Sequence, residues 1–391
     1  MDVRDKVREL AASARFDACG FEGPPTWQPP KEAYVFRAAR PNGGFTCLLK
    51  VLLTNVCVND CAYCANRVGR DCPRSAFKPD ELARVFTQMH QRGLVQGLFL
   101  SSGIAGNANR SMSAMVDTVE IIRRRYRFNG YIHLKILPGA TFDVVEAGCR
   151  LATRISVNME APTAGHLARL SARKDILQGI IEPMHWVKRI VGEHETLVPA
   201  GQTTQFVVGA AGESDGDLLK ASANLYKDIG LRRVYFSAFK PVDDTPLEGH
   251  EATPPTREHR LYQADWLLRV YGFSADEVEL ALSEDGRYSL AEDPKATIAA
   301  RQPWRYPLDV NKASYEELLR VPGIGPTSAQ RIVDVRKEHS IDSLAQLRKM
   351  RVGTGRAAGY IWFKGMLREE RQLSFLPQLE EAARPVELAA A

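Results

Sequence analysis

The chain has 391 residues, enough for two ordinary domains or for one large α/β domain with a smaller appendage. Its residues are 45% hydrophobic and 25% charged, and no apolar run approaches the roughly 18 residues that a membrane span needs. This composition excludes a membrane-spanning protein, and the charged amino terminus without an apolar signal core predicts a cytoplasmic location.

Residues 1–45 begin with an amphipathic helical pattern and then become rich in Pro and Gly, which predicts an entry segment. Between residues 46 and 250, apolar runs of strand length alternate with helical patterns. Crossovers of this length imply parallel strands, either in a barrel or in an open doubly wound sheet, with the chemistry at the carboxyl ends of the strands. The six predicted strands begin near Leu48, Gly97, Tyr131, Arg154, Thr204 and Val234.

Three cysteines directly follow the first of these strands, in the segment Cys57-Val-Asn-Asp-Cys61-Ala-Tyr-Cys64. A four-iron cluster needs four thiolates to be closed, so three would leave one iron open for a substrate or cofactor. The alternatives are a structural zinc site and three unrelated buried cysteines, but no second pair of cysteines or histidines follows at zinc spacing. The other cysteines, Cys19, Cys47, Cys72 and Cys149, lack such spacing and are expected to be buried apolar residues. Seven cysteines without a disulfide pattern predict a reducing compartment.

The alternation of strand and helix patterns stops near Pro241. Residues 251–308 are predicted to form a helical connector interrupted by prolines. Residues 309–371 read as a small all-α unit, and residues 372–391 as a disordered tail. From Arg301 to Arg371 there are fourteen Lys and Arg against eight Asp and Glu. Such a local basic excess is typical of a polyanion partner, although it also occurs on ordinary solvated surfaces.

Within the basic unit, the segment from Leu318 to Ile332 predicts a helix, a tight Pro-Gly-Ile-Gly turn and a second helix starting at Pro326. Ser314 and Glu317 form a capping-box pattern before the first helix. The segment resembles the helix-hairpin-helix motif, which holds the sugar-phosphate backbone without reading sequence. A weaker copy follows around Thr354, and a protein-binding helical module is the alternative. The residues predicted to bind nucleic acid are Gly323, Ile324, Gly325, Thr327, Ser328, Arg331, Gly353, Gly355 and Arg356.

The cysteine spacing, with Tyr63 before the last cysteine, resembles the radical S-adenosylmethionine superfamily. Together with the hairpin unit, nearly the whole chain resembles a family of such proteins assigned to DNA modification or repair. The resemblance implies a partial (β/α)6 TIM-like barrel followed by a small helix-hairpin-helix domain. It also implies a [4Fe-4S] cluster on Cys57, Cys61 and Cys64, whose open iron is chelated by S-adenosylmethionine, and a 5′-deoxyadenosyl radical as the product of reductive cleavage.

The same resemblance implies where S-adenosylmethionine binds. The turn after the second strand, Ser101-Ser102-Gly103, would meet its amino group, although it departs from the Gly-Gly-Glu of the superfamily. Polar residues of the fourth predicted strand would meet the ribose and the methionyl amine, and the fifth predicted strand would pass the adenine. The alternatives are a hydrated barrel lining for the fourth strand and an ordinary buried strand for the fifth. The expected cofactor-binding residues are Tyr63, Ser101, Ser102, Gly103, Ser156, Asn158, Glu160 and Val208.

The expected function is generation of a deoxyadenosyl radical that acts on nucleic acid, with DNA favoured over RNA because of the hairpin. An external electron donor of the flavodoxin or ferredoxin type would be required. The alternatives are an RNA-modifying radical enzyme and a non-catalytic iron-sulfur protein that binds DNA. A base-excision glycosylase fits less well, because its cluster cysteines follow the hairpin and Thr327 stands where such enzymes carry a catalytic lysine. Catalytic residues, reaction type and oligomeric state are not predicted.

Overall fold

The computed structural model describes residues 2–14, 35–39 and 44–364. The chain divides into two compact units, Met1–Tyr262 and Gln263–Ala391. The tail predicted for residues 372–391 lies outside the described residues, as does most of the Pro- and Gly-rich part of the entry segment. The domain boundaries expected at residues 46, 251 and 309 stay predictions.

A seven-stranded sheet organises the first unit, and its strands stand side by side in chain order. The first strand is antiparallel to the second, and every later neighbour is parallel. All six predicted strands are present, and the antiparallel edge strand is an addition that the sequence analysis missed. The strands are β1 Val35–Ala39, β2 Phe45–Leu52, β3 Gly97–Ser101, β4 Tyr131–Lys135, β5 Arg154–Ser156, β6 Gln202–Val208 and β7 Arg233–Ala238.

Amphipathic helices connect the parallel strands, and their starts carry the expected signals. Asn107 caps one helix through its side chain, and Ser214 and Asp217 form a capping box on another. Two helices have a π-helical turn next to them, Leu177–Ile181 and Leu225–Ile229. The helices of this part are α1 Val3–Ser13, α2 Pro79–Gln91, α3 Ala108–Arg124, α4 Phe142–Leu151, α5 Ala164–Leu170, α6 Glu182–Glu193 and α7 Asp215–Asn224, followed by α8 Pro255–Arg269 across the division of the chain.

Four of the helices form one outer layer, in which α2 packs on α3, α3 on α4 and α4 on α6. Sequential strand order with right-handed crossovers places successive helices on the same face of a sheet, which curls it towards a barrel. A doubly wound sheet would instead reverse its strand order part-way. The predicted partial (β/α)6 barrel is therefore confirmed.

Strand β5, which corresponds to the fourth predicted strand, is shorter than predicted. It ends at Ser156, after which the amide of Met159 donates to the Thr204 hydroxyl (2.9 Å) instead of to a strand carbonyl. Glu160 returns to the ladder through its amide and the Gln205 carbonyl (2.9 Å), with a left-handed φ of 63°. That backbone turn is uncommon for a non-glycine residue, and it sets the direction of the Glu160 side chain.

Short helices around one apolar core make up the second unit. Two-residue strands, β8 Leu308–Asp309 and β9 Ile361–Trp362, pair in parallel, so the prediction of an all-α unit omits a short ladder. The 3₁₀ turns are Pro303–Arg305 and Ala358–Tyr360. The helices are α9 Ala275–Glu279, α10 Pro294–Arg301, α11 Tyr315–Arg320, α12 Pro326–Val335, α13 Leu344–Lys349 and α14 Thr354–Ala357. Across the described ranges of both units, none of the helices is both long and apolar enough to span a membrane.

Candidate functional site

The three clustered cysteines lie on the loop after β2, at the carboxyl end of the parallel strands. Cys57, Cys61 and Cys64 line one cleft that encloses about 1050 Å³ of empty space, part of it open to solvent. No fourth cysteine and no histidine occurs among the described residues that line it. Polar groups that converge in one cleft are typical of a site for a small molecule or cofactor.

Arg74 holds one side of the cysteine loop. Its guanidinium donates to the carbonyls of Asn55 (2.6 Å), Asn66 (2.9 Å), Arg67 (2.8 Å) and Arg70 (3.1 Å). The planar guanidinium offers five donors in a fixed arrangement, which suits a loop whose carbonyls converge on one point. Sequence reasoning missed Arg74, because its role depends on loop carbonyls that converge only in the folded chain.

The other side of the loop is held by the segment that follows α5. Ser171 donates from its hydroxyl to the Asp60 carboxylate (2.5 Å), and the Ala62 amide donates to the Leu170 carbonyl (2.7 Å). Arg173 adds a hydrogen bond to the Val58 carbonyl. The loop is therefore fixed from two directions before any metal binds.

Backbone amides and charges surround the sulfurs. The Asn66 amide donates to Cys64 Sγ (3.4 Å), and the Ile104 amide donates to Cys57 Sγ (3.5 Å). Desolvation, followed by the charge of Cys61, raises the pKa of Cys64 to about 12, and burial likewise raises the pKa of Cys61. Metal binding would remove these protons, because thiolates are the ligands.

Three thiols with amide donors nearby are a donor set that suits an iron-sulfur cluster. Within the described ranges, no group of three or more His, Cys, Asp or Glu side chains is placed to hold one metal ion. A cluster distributes its thiolates over several iron atoms, and amide donors to sulfur are its usual surroundings. Three cysteines that interact electrostatically in one cleft fit a [4Fe-4S] cluster with an open iron.

Most residues expected to bind the cofactor line the same cleft: Tyr63, Ser101, Ser102, Gly103, Asn158 and Glu160. Gly103 is required here, because a Cβ atom on it would lie 2.4 Å from the Val56 carbonyl oxygen and 3.2 Å from Cys57 Cβ. The turn after β3 thus packs directly beneath the cysteine loop.

Two expected residues are not among the described residues lining the cleft, Ser156 and Val208. Ser156 lies one inward position below Asn158, and its carbonyl accepts from the Ile136 amide (2.8 Å). Val208 follows the cleft residue Val207, so the alternation of the strand turns its side chain to the other face. The Val208 carbonyl accepts from the Thr253 hydroxyl (2.7 Å).

Lys174 is the most prominent cleft residue that the sequence analysis missed. Its Nζ lies 3.6 Å from the Glu160 carboxylate and donates to the Tyr63 hydroxyl (3.3 Å), and the Lys174 and Glu160 side chains are 6% and 8% exposed. Burial lowers the pKa of Lys174, but the negative charges of Cys61 and Glu160 outweigh it, and the net pKa shift is upward. The cleft therefore contains a buried cation beside the sulfurs.

In the second unit, the first predicted hairpin is formed by α11, the turn and α12. Ser314 and Glu317 make the predicted capping box, and α12 starts at Pro326 with Gly325 as its N-cap. The amides of Thr327 and Ser328 lie in the first turn, where helical amides have no intrahelical acceptor. Arg331 is exposed one turn later on the same face as Thr327.

The second hairpin packs against the first. Gly323 has a φ of 86°, and a Cβ atom on it would lie 3.0 Å from the Gly353 carbonyl oxygen and 3.2 Å from Arg356 Cβ. Thr354, which replaces the usual apolar residue of the motif, is buried and accepts from Arg348 Nε through its hydroxyl (3.0 Å). The weaker sequence copy is thus a real structural partner of the first hairpin.

A basic groove lies between α12 and the end of α13. It is lined by Arg331, Val335, Lys349, Met350 and Arg351, and it encloses about 540 Å³ of space that is largely open to solvent. Three cationic side chains around a concave surface suit a phosphate chain.

Comparison with known protein families identifies the hairpin region of the second unit. Residues 306–352 match the helix-hairpin-helix motif family. No curated protein matches the chain.

Among solved structures, similar chains include the FeFe-hydrogenase maturase HydG from Carboxydothermus hydrogenoformans, with 14% identity and a TM-score of 0.44 over 56% of this chain and 50% of that chain. Methylornithine synthase, PylB, has 13% identity and a TM-score of 0.46 over 56% and 60% of the two chains. A radical SAM methyltransferase from Sphaerobacter thermophilus has 14% identity and a TM-score of 0.44 over 60% and 71%. The chain thus spans about half the length of the first of these structures, and likeness at this level says nothing about substrates.

Below the cleft, His133 is buried in the barrel with 1% exposure. Desolvation and the positive charges of Arg154, Lys135 and Lys50 hold the pKa of His133 well below its usual range. In the unfolded chain, His133 becomes protonated as the pH drops below about 6.5, whereas in the folded chain it stays neutral. The free energy of unfolding therefore falls as the pH drops below about 6.5.

We expect the substitution His133→Phe to remove a slope of up to about 1.4 kcal/mol per pH unit between pH 6.5 and 5. Urea denaturation at several pH values measures it. The exposed His250, changed in the same way, is the matched control and should leave the slope unaltered. An equal slope in His133→Phe and the parent protein would contradict the buried neutral state.

Proposed function

We propose that the chain is a radical S-adenosylmethionine enzyme that acts on nucleic acid, with DNA favoured as the substrate. The observation that carries the proposal is the set of three cysteine side chains opening onto one cleft, with no fourth cysteine or histidine among its described lining residues. A thiolate set one short of closure leaves a coordination position for a cofactor.

In this proposal Cys57, Cys61 and Cys64 hold the [4Fe-4S] cluster, and the amides of Asn66 and Ile104 stabilise the charge on two of the sulfurs. When bound, the cluster would supply the electron that cleaves S-adenosylmethionine to methionine and a 5′-deoxyadenosyl radical. Arg74 and the segment after α5 hold the cysteine loop in place, so little reorganisation accompanies metal binding.

The polar wall of the cleft would bind S-adenosylmethionine. Ser101, Ser102, Asn158 and Glu160 offer hydroxyl, amide and carboxylate groups for the amino group and the ribose. Gln205, which lines the cleft from β6, is a further candidate that the sequence analysis did not single out. The expectations for Ser156 and Val208 have less support, because neither lines the cleft.

The preference for nucleic acid rests on the second unit, where the hairpin turn, the first-turn amides of α12 and the basic groove offer donors to phosphate. A target base would have to be single-stranded, damaged or flipped to reach a barrel mouth. A cytoplasmic location belongs to the same proposal, since the thiols must stay reduced. So does an electron donor of the flavodoxin or ferredoxin type, since the cluster must be reduced by one electron.

The basic groove gives a prediction of its own. The charge reversals Arg331→Glu and Lys349→Glu are expected to weaken binding of DNA duplexes of unrelated sequence to a similar degree. Each should reduce the slope of log K against log salt concentration by about 1, because one phosphate contact is lost. Fluorescence anisotropy at several salt concentrations measures both effects. Lys312→Glu, an exposed charge reversal in the same unit but outside the groove, is the control and should change the salt slope and the DNA affinity less than the groove variants do. Equal losses of DNA affinity in all three variants would refute a specific role of the groove.

The substrate class is tested with the reconstituted enzyme under anaerobic reduction. We expect single-stranded or mismatched DNA to increase the formation of 5′-deoxyadenosine and to gain a mass change detectable after nuclease digestion. An increase with RNA and none with DNA would replace DNA by RNA in the proposal. No increase with either would refute a nucleic-acid substrate while leaving the cleavage chemistry intact.

A further inference from the structure

A tryptophan of the second unit stands out by its exposure. Trp304 is the middle residue of the 3₁₀ turn Pro303–Arg305 and is 75% exposed, more than any other large apolar residue that the structure describes. Within the described residues, its indole forms no hydrogen bond and no aromatic or cation contact. By contrast, Trp186 packs edge-on against Phe142 with ring centres 5.8 Å apart. Single exposed apolar side chains are common on protein surfaces, so a role for Trp304 has to be argued from its surroundings.

The turn that carries the indole is held firmly in the fold. The Tyr306 amide donates to the Pro303 carbonyl (3.1 Å), which closes the turn. Tyr306 itself is 9% exposed, and its hydroxyl donates to the Arg320 carbonyl (2.9 Å). The indole is therefore presented to solvent by a fixed backbone, so a ligand that binds it pays little for ordering the protein.

The same contacts place the turn beside the first hairpin. Arg320 is the last residue of α11 and lies two positions before Pro322, where the Pro-Gly-Ile-Gly turn begins. Glu277 joins the two segments again, because its carboxylate accepts from Arg320 Nε (2.8 Å) and Nη2 (2.7 Å) and lies 3.7 Å from Arg305 Nη1. The matched helix-hairpin-helix region begins at residue 306, two residues after the tryptophan. The exposed indole thus adjoins the proposed phosphate-binding module.

Positive charge is in excess around the indole. The single carboxylate of Glu277 serves two arginines, and a third, Arg301, is exposed and donates only to the carbonyls of Leu280 (2.5 Å) and Leu282 (2.7 Å) among the described residues. An apolar protein partner would need a contiguous apolar patch, whereas the residue after the tryptophan is an exposed arginine. A flat aromatic ring among cations instead suits a nucleic-acid strand, whose bases stack on the ring while its phosphates meet the arginines.

We propose that Trp304 stacks on an unpaired base of the nucleic acid whose backbone the hairpin holds. The inference rests on the nucleic-acid part of the proposed function and adds a preference to it. A hairpin that contacts only phosphates does not distinguish paired from unpaired bases. Stacking on Trp304 gives the module that distinction, and DNA with an unpaired or displaced base is the substrate that a barrel mouth requires.

The test measures the affinity of the full-length protein for labelled DNA by fluorescence anisotropy at several salt concentrations. The probes are a perfect duplex and a duplex of equal length with a short single-stranded gap. We expect the parent protein to prefer the gapped duplex, and Trp304→Ala to lose about tenfold in affinity for it, a typical stacking contribution. The affinity for the perfect duplex and the salt slope should not change, because no phosphate contact is lost. Trp304→Phe should keep most of the preference, and Trp304→Leu should lose it.

A fluorescent base reports the stacking directly. The fluorescence of 2-aminopurine placed in the gap should fall when the parent protein binds, and Trp304→Leu should not produce this fall. Leu290→Ala, which truncates a 49% exposed apolar residue in the same unit, is the control and should leave both affinities unchanged. Equal affinity of the parent protein and Trp304→Ala for the gapped duplex would overturn the inference, as would equal losses on the two duplexes.

Two further outcomes separate this inference from the proposed function. A parent protein that binds both duplexes equally, with the salt slope still reduced in Arg331→Glu, would refute the stacking role and leave the nucleic-acid substrate standing. A parent protein that binds neither duplex would refute both. Sedimentation of the protein without DNA is the last check: a smaller assembly in Trp304→Ala than in the parent protein would show that a second copy of the chain covers the indole, which also overturns the inference.

Discussion

The substitution Cys61→Ala is expected to reduce iron binding sharply and to lower the formation of 5′-deoxyadenosine to the rate of a protein-free blank. Cys61 is the central residue of the three and is 6% exposed on the cleft wall, where its charge acts on Cys64. Two remaining thiolates cannot hold a four-iron cluster against chelators or oxygen. Iron and sulfide analysis, together with the absorption and electron paramagnetic resonance spectra of the reduced protein, measures the loss.

Cys72→Ala is the matched control for this prediction. Cys72 lies close along the chain, is half-buried, and its thiol contacts the Ala65 carbonyl (3.7 Å), but it is not among the residues that line the cleft. We expect it to retain the cluster and the activity. Equal iron content in the parent protein, Cys61→Ala and Cys72→Ala would contradict the assigned ligands.

The substitution Arg257→Met is expected to produce the largest loss of stability, about 3–5 kcal/mol in the free energy of unfolding. Arg257 is buried, and its Nε donates to Asp215 (2.7 Å), while Nη2 donates to the Glu213 carbonyl (2.8 Å) and lies 3.9 Å from the Glu213 carboxylate. Its removal takes the buried cation away from two interior carboxylates, and breaking a buried ion pair on one side is costly. The Glu213 carboxylate also accepts from the Gly209 amide, so the substitution loosens the loop that follows the cleft residues Gln205 and Val207.

Urea denaturation compares Arg257→Met with Arg125→Met. Arg125 pairs with Asp80 at 2.6 Å, but both side chains are largely exposed, and such pairs contribute less than about 1 kcal/mol. The expected difference between the two variants is therefore large. Similar losses of stability in both variants would mean that the buried ion pairs of Arg257 with Asp215 and Glu213 are not an important element of stability.

The sequence predicted those features whose signal is local. The runs that became β2, β3, β4, β6 and β7 are short, apolar and bounded by helical patterns, so their existence and parallel pairing followed from the chain itself. The capping box at Ser314 and the start of α12 at Pro326 depend on neighbouring residues alone. The cysteine motif is likewise contained in eight residues.

Features that depend on distant contacts were missed. Lys174 reaches the cleft from a loop more than a hundred residues after the cysteines, and Arg74 acts through carbonyls that converge only in the folded loop. The end of β5 and the left-handed turn at Glu160 could not be predicted, because a non-glycine residue carries no local sign of such a conformation. β1 escaped prediction because its five residues include an arginine and follow a Pro-rich segment.

The contact between the two hairpins is another non-local feature. Glycine at 323 was expected for its turn, but the close approach of the Gly353 carbonyl gives a second reason for the absence of a side chain. Thr354 weakened the sequence match of the second copy, and its hydrogen bond from Arg348 explains why a polar residue is tolerated at a buried position.

We infer that the three-cysteine cleft generates a radical from S-adenosylmethionine. The most direct measurement is anaerobic reduction of the reconstituted full-length protein with S-adenosylmethionine, followed by quantification of both products. We expect 5′-deoxyadenosine and methionine in equal amounts, together with a change in the spectrum of the reduced cluster when S-adenosylmethionine is added. A protein with a full complement of iron and sulfide that binds no S-adenosylmethionine and forms neither product would contradict it.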